Sequence, residues 1–239
     1  MQCPALRAGL LGTMGTDDWT CALEESGHGV IRALLGPDAC AGLAALYDEP
    51  ERFRSKVVMA RHGFGRGEYQ YFADPLPTPV SALRGSLYAA LAPAANRWAE
   101  TLGKSVRFPD HLEEYLEICH AAGQTLPTPL LLRYGPGDFN CLHQDLYGPL
   151  AFPFQVAVLL SRPEVDFRGG ELVLTQQRPR MQSRVDVVQL GQGDAVAFAV
   201  NERPVQGTRG VYRVRMRHGV SEIRSGRRHT LGLIFHDAT

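Results

Sequence analysis

The chain has 239 residues, 44% hydrophobic and 21% charged, and its 25 Lys and Arg balance 25 Asp and Glu. That length allows one large domain or two small ones with a sizeable core, and zero formal charge gives no global field toward nucleic acid or membrane. The five cysteines (Cys3, Cys21, Cys40, Cys119, Cys141) are odd in number and form no CxxC, which argues against a disulfide framework or zinc knuckle and for a reducing cytosol.

The opening MQCPALRAGLLGTMGTDDW carries one early Arg and a short apolar patch, a poor match to a signal peptide. No apolar run approaches a membrane span, so a cytoplasmic chain with no membrane partner is expected. GPDACAGLAALY reads as a helix entered at Pro37 and Asp38. RHGFGRGEYQYF, residues 61–72, has alternate glycines, two Arg and four aromatics; it reads as a hairpin or mobile loop rather than core. Val80, Leu83, Leu87, Leu91, Ala94, Trp98 and Leu102 recur at three- and four-residue steps, predicting an amphipathic helix interrupted by Pro93 and closed by Gly103. HLEEYLEICHAAG predicts another helix.

From about Leu130 the texture changes to short apolar runs split by Gly, Pro and Asp: PLLLRY, FPFQVAVLL, GGELVL, VDVVQL, DAVAFAV, GVYRVRM and HTLGLIF. Seven or eight such runs at close spacing predict a sandwich, barrel or jelly roll. The expected class is α+β, with a helical and mixed region 1–127 bracing a β core 128–239 as one functional unit. Charge divides the same way. Residues 151–239 carry 13 Arg and no Lys against 8 acids, and guanidinium suits bidentate carboxylate or phosphate contacts. GC-rich coding would give the same bias.

His143 and Asp145 sit one residue apart in YGPGDFNCLHQDLYG. Alone the pair is weak, because a chain of this composition holds roughly 0.4 such pairs by chance. On a strand, however, residues i and i+2 face the same side, so both could reach one metal ion. His218, after the alternating GVYRVRM, offers a third ligand. Two His and one carboxylate leave open positions for non-haem Fe(II) oxygen chemistry. Ten residues further on, Arg228 starts a strand, and an Arg aimed into a barrel is costly unless it meets an anion.

The set His143, Asp145, His218 and Arg228 resembles the Fe(II)/2-oxoglutarate-dependent dioxygenases. Tyr134 nine residues before the first His, RGGEL (168–172) and GQGDAVAF (191–198) follow in matching order, and the resemblance covers about residues 128–237. It implies a double-stranded β-helix, a jelly roll. It implies Fe(II) on His143, Asp145 and His218, and Arg228 paired with the distal carboxylate of 2-oxoglutarate, helped by Tyr134 and Thr230. With O2 as the remaining co-substrate, the expected products are succinate, CO2 and a hydroxylated C–H bond. Arg227 competes with Arg228, which is preferred because it puts Thr230 on the same strand face. His229 and His236 are expected to be satisfied structural residues, His62 to be solvated and Cys141 to pack.

Two branches bear on the substrate. RYGPGDFNCLHQD resembles the nucleic-acid demethylating AlkB-type enzymes, although Leu132 and Ile234 replace their Asn and second Arg. DFRGGELVL and the step from His218 to Arg228 look more like prolyl and other protein hydroxylases. The whole chain also resembles an uncharacterised bacterial oxygenase family proposed to act on damaged DNA. Arg178, Arg180 and Arg184, with Arg61, Phe64, Arg66, Tyr69 and Tyr71 of the loop 61–72, could form a basic rim with stacking aromatics. Such a rim suits single-stranded or flipped bases, and demethylation of alkylated bases is the expected activity. A prolyl-type protein hydroxylase is the alternative; a sensor without turnover and a small-molecule oxygenase stand behind it.

Overall fold

The computed structural model describes residues 16–208 and 210–239. Cys3 and most of the opening segment considered as a signal peptide lie outside the described residues. Among the described residues there are four α-helices: α1 (Thr16–Ser26), α2 (Pro37–Ala45), α3 (Thr78–Thr101) and α4 (Leu112–Ala121). The strands of the first part are β1 (His28–Ile31), β2 (Phe53–Val58), β3 (Gly65–Arg66), β4 (Glu68–Phe72) and β5 (Leu130–Tyr134). Next come β6 (Phe139–His143), β7 (Phe154–Leu159), β8 (Phe167–Gly169), β9 (Leu172–Gln177) and β10 (Arg184–Val188). The chain closes with β11 (Ala195–Ala199), β12 (Glu202–Gly207), β13 (Gly210–Val220), β14 (Ile223–Gly226) and β15 (Arg228–Ile234).

A seven-stranded antiparallel sheet runs β1-β11-β7-β15-β5-β4-β2, and a second sheet runs β10-β9-β13-β6-β3 with β12 beside β13. Leu172, Leu174 and Val188 of the second sheet meet Val196 and Phe198 of the first, closing the two into a roll. This is the double-stranded β-helix. The α3 stripe Leu87, Leu91, Ala95 and Trp98 covers the other face of the seven-stranded sheet through Val156, Val158, Leu231 and Leu233. The strands of that sheet are thus buried on both faces, which is why they read as continuous apolar runs rather than as alternation.

Several elements differ from the sequence expectation. Pro93 does not interrupt α3, which runs through it; the buried contacts on both sides hold the turn together. The segment 61–72 is not one loop. Its second half is β4, hydrogen-bonded between β5 and β2, with Tyr71 and Phe72 in the core. The glycine that gave the segment its loop character serves packing: Gly67, at φ +112, lies so close to Tyr134 that a Cβ would come within 2.8 Å of its ring. Residues before 128 supply β1, β2 and β4 to the first sheet and β3 to the second, so the N-terminal part enters the roll itself.

Candidate active site

A cavity of about 390 Å³ opens between the two sheets. Its lining is largely apolar, with Leu132, Leu172, Leu190 and Phe198 among it, and its polar groups come from both sheets: His143 and His218 from one, Gln155, Arg228 and Thr230 from the other. His143 ends β6 and pairs directly with His218 of β13 across the ladder, with ring centroids 4.1 Å apart. Asp145 lies beyond the end of β6 rather than on the strand. The chain leaves the sheet after His143 and brings the carboxylate back under both rings. His143 Nε2 is 3.3 Å from Asp145 Oδ1, and His218 Nε2 is 3.3 Å from Asp145 Oδ2.

One ligand atom from each of these three residues lies within 4.8 Å of the others, a spread that one metal ion spans. The donor set of two imidazoles and one carboxylate suits Fe(II). His143 Nδ1 donates to the Cys141 carbonyl at 2.8 Å, which leaves the Nε2 lone pair of the neutral ring facing the cluster. Burial opposes charge on Asp145, but the close His143 and His218 rings hold its carboxyl well below the usual carboxylate range. Burial pushes His218 down, while on His143 the Asp145 carboxylate outweighs burial and raises it.

Behind the cluster, Arg228 is the first residue of β15 and pairs with Tyr134 of β5. It is 3% exposed, and no carboxylate partner is found for it among the described residues. One guanidinium nitrogen donates to Thr230 Oγ1 at 2.6 Å, and Nε has no partner. The Tyr134 and Phe167 rings lie 5.7 and 5.9 Å from its guanidinium carbon, offering only their π-faces. Burial lowers its affinity for a proton, with Tyr134 and Glu171 opposing. An orphaned buried cation in a pocket calls for an anion of small size, and the distal carboxylate of 2-oxoglutarate fits it. Gly170 of the RGGEL run makes the close approach possible: at φ +67, its Cβ would meet Ile223 Cδ1 at 2.2 Å and Arg228 Cδ at 3.0 Å. Arg227, by contrast, is exposed.

Two further residues touch the cluster and were not singled out from the sequence. Tyr147 Oη donates to Asp145 Oδ1 at 2.7 Å, and Gln155 Nε2 donates to Asp145 Oδ2 at 2.9 Å. Both had a signal. Tyr147 continues the alternation of His143 and Asp145 by two residues, and Gln155 is the lone polar residue in FPFQVAVLL.

The expected substrate residues divide. Phe64 and Tyr69 line the cavity, whereas Arg61, Arg66, Tyr71, Arg178 and Arg180 do not. Arg61 precedes β3 and Arg66 ends it, at one edge of the second sheet, while Arg178, Arg180 and Arg184 follow β9 near the other edge, with β13 and β6 between. The two groups therefore do not form one rim, and Arg184 is tied to Asp186 at 2.9 Å. Phe64 is exposed and stacks on His62 with centroids 5.3 Å apart, so His62 is not merely solvated. Cys141 is exposed at the cavity rather than packed. His236 is buried, with Nδ1 accepting from the Phe152 amide and Nε2 unpartnered, so it is satisfied only in part. The ring of His229 packs edge-on to Tyr47, and its amide donates to Ser161.

The Oxygenase-NA family model, described as an oxygenase catalysing oxidative methylation of damaged DNA, matches residues 67–238. The chain belongs to this family. The oxygenase is also 50% identical over 167 residues to uncharacterized proteins of two Mycobacterium tuberculosis strains, CDC 1551 / Oshkosh and ATCC 25618 / H37Rv, covering 70% of this chain and 72% of each relative. Among solved structures it is similar to a 2OG-Fe(II) oxygenase family oxidoreductase from Burkholderia pseudomallei, with TM-score 0.54, 16% identity and coverage of 96% and 95% of the two chains. A Pseudomonas putida prolyl-4-hydroxylase matches at TM-score 0.50 and 16% identity, covering 92% of this chain and 97% of its own. At such identities the likeness carries the fold. The His–Asp–His cluster and that fold support Fe(II), 2-oxoglutarate and O2 as cofactor and co-substrates. No described helix is long and apolar enough to cross a membrane.

Proposed function

We propose that this oxygenase removes N-linked methyl groups from damaged nucleic acid bases by hydroxylating the methyl carbon. The observation that carries the reading is the exposed Phe64, stacked on His62 at the mouth of the cavity that ends in the His–Asp–His cluster. An exposed aromatic face beside an apolar cavity accepts an unstacked base whatever its sequence context. The family description, with its damaged DNA, points the same way.

In this reading His143, Asp145 and His218 hold Fe(II), which with 2-oxoglutarate and O2 supplies the oxidising power for C–H hydroxylation. Arg228 and Thr230 orient 2-oxoglutarate through its distal carboxylate, and Tyr134 closes the cavity wall beside them. Tyr147 and Gln155 hold the Asp145 carboxylate turned toward the two rings. Leu132, Leu172 and Phe198 keep water from the reacting carbon. The hydroxymethyl product on nitrogen is a hemiaminal, which releases formaldehyde and restores the N–H.

The test is mass spectrometry of N-methylated single-stranded DNA incubated with the protein, Fe(II), 2-oxoglutarate and air, with Asp145→Ala as the blank. Methyl loss with formaldehyde, absent from the blank, is expected. Intact methyl groups alongside steady succinate formation would overturn the nucleic acid reading and turn the search to oxygen added to cellular peptides. His218→Ala is expected to abolish succinate formation and His229→Ala to leave most of it.

A further inference from the structure

We infer that the outer face of β13, with β9 and β10 beside it, is a track that holds the backbone of a single-stranded nucleic acid as its base is presented to the cavity. This rests on the nucleic acid reading of the site and extends it to a surface.

Along β13, Val214, Met216 and His218 are buried while Arg213, Arg215 and Arg217 are exposed. The strand that carries a cluster imidazole on its inner face thus carries a row of guanidiniums on its outer one. Alternate residues of a strand are spaced by about 6.8 Å, close to the spacing of successive phosphates in a stretched single strand. Some exposed arginines are matched to acids, as Arg52 is to Glu49, Arg97 to Glu24 and Arg162 to Asp166, while others, such as Arg61, Arg66, Arg180 and Arg227, are in no ion pair among the described residues. The side chains of Arg215 and Arg217 have no ion pair or hydrogen bond among the described residues, and Arg213 shares Glu202 with Lys104.

The neighbouring lanes suit the rest of a nucleotide. Arg217 stands opposite Thr175, and Thr175 opposite Val185, so the three side chains share one face. Gly219, Val173 and Val187 repeat the pattern one step along. Val185 and Val187 are 55% and 58% exposed, unusual for valine and without a covering element. They lie two strands, or about 10 Å, from the arginine row, within reach of a base whose phosphate sits on that row. A cationic lane beside an apolar lane matches a polymer with phosphates on one side and bases on the other. Arg217 precedes His218, which pairs with His143 at the cavity, but the two side chains point to opposite faces of β13, so the strand would have to pass around the sheet to present a base.

The experiment is fluorescence anisotropy of a labelled single-stranded oligodeoxynucleotide with the full chain, across a salt series. It compares the wild type with Arg215→Ala/Arg217→Ala and with the charge reversal Arg215→Glu/Arg217→Glu. The alanine pair is expected to weaken binding roughly tenfold and to flatten the salt dependence by about 1.4 in slope, and the reversal to weaken it further. Both variants should keep the wild-type rate of methyl removal from a methylated dinucleotide too short to span the row. Wild-type affinity in both variants would overturn the track while leaving the site reading intact. No methyl removal from the dinucleotide by the wild type would sink the reading itself. Loss of binding to a polyglutamate-rich peptide in the variants, with no DNA binding by the wild type, would assign the row to an acidic protein and overturn the proposal.

Discussion

Tyr147 Oη donates to Asp145 Oδ1 at 2.7 Å, and this bond leaves the carboxylate no freedom to turn away from His143. Gln155 holds the other oxygen. Groups that orient a metal ligand in this way commonly set affinity by 10- to 100-fold. Tyr147→Phe and Gln155→Leu should each weaken Co(II) binding within about that range without unfolding the protein. Titration followed by the visible Co(II) bands reads this directly. Wild-type affinity in both variants would mean that His143, His218 and the backbone suffice to place Asp145.

Arg228 predicts opposite effects on stability and on binding. Arg228→Met removes a buried cation with no carboxylate partner, so the protein without 2-oxoglutarate should gain about 1–3 kcal/mol. Saturating 2-oxoglutarate with metal should raise the stability of the wild type, by about 2.7 kcal/mol at a hundredfold excess over Kd, and leave the variant unmoved. Thermal melts with and without 2-oxoglutarate check both. A variant still stabilised by 2-oxoglutarate would remove Arg228 from the anion role.

Arg84, another buried arginine, is held differently. Arg84 of α3 meets Asp237 at 2.8 Å with both side chains almost wholly buried, donates Nε to the Ile234 carbonyl, and so ties the helix to the end of β15. Asp237 also meets His120 at 2.9 Å. Arg84→Ala strands a buried carboxylate and should cost about 3–5 kcal/mol in urea unfolding. A loss below about 1 kcal/mol would show that His120 suffices.

Acid should destabilise the fold before its carboxylates titrate. Burial depresses His236 to about 4 and His229 to about 4 from an ordinary value near 6.5. Between these values the unfolded chain takes up protons that the folded protein refuses. Stability is therefore complete above about pH 6.5 and falls as pH drops toward 4, with His236 contributing roughly 3 kcal/mol. Urea midpoints at pH 7, 6 and 5 should fall steadily, and less so in His236→Leu. A flat midpoint would place a proton acceptor near His236 Nε2.

The roll was legible where burial left a strong imprint. β5, β7, β11 and β15 lie between α3 and the second sheet, so both of their faces had to be apolar. β4 was hidden because its glycine-rich neighbour and its tyrosines resemble a loop, and because Gln70 breaks its apolar pattern to donate to the Tyr47 carbonyl. β1, β12 and β14 are short or polar. His143, Asp145, His218 and Arg228 could be picked out, since their types and spacing carry chemistry of their own. Gln155 could not be tied to Asp145, because that contact depends on how the chain returns after β6. The two arginine loops sounded alike in sequence and lie apart, since strand order decides which loops meet.

The direct pairing of His143 with His218 has a consequence for assembly. Neither imidazole has its partner until two strands distant in the chain have zipped together, and Asp145 is placed only once β6 has ended in register. An unfolded or half-folded chain offers no such cluster, and a one-residue slip would turn one ring to solvent. A metal held there acts as a rivet through the second sheet, so the amides of β6 and β13 should exchange with solvent more slowly when it is bound. Loading would then certify that the sheet has closed correctly.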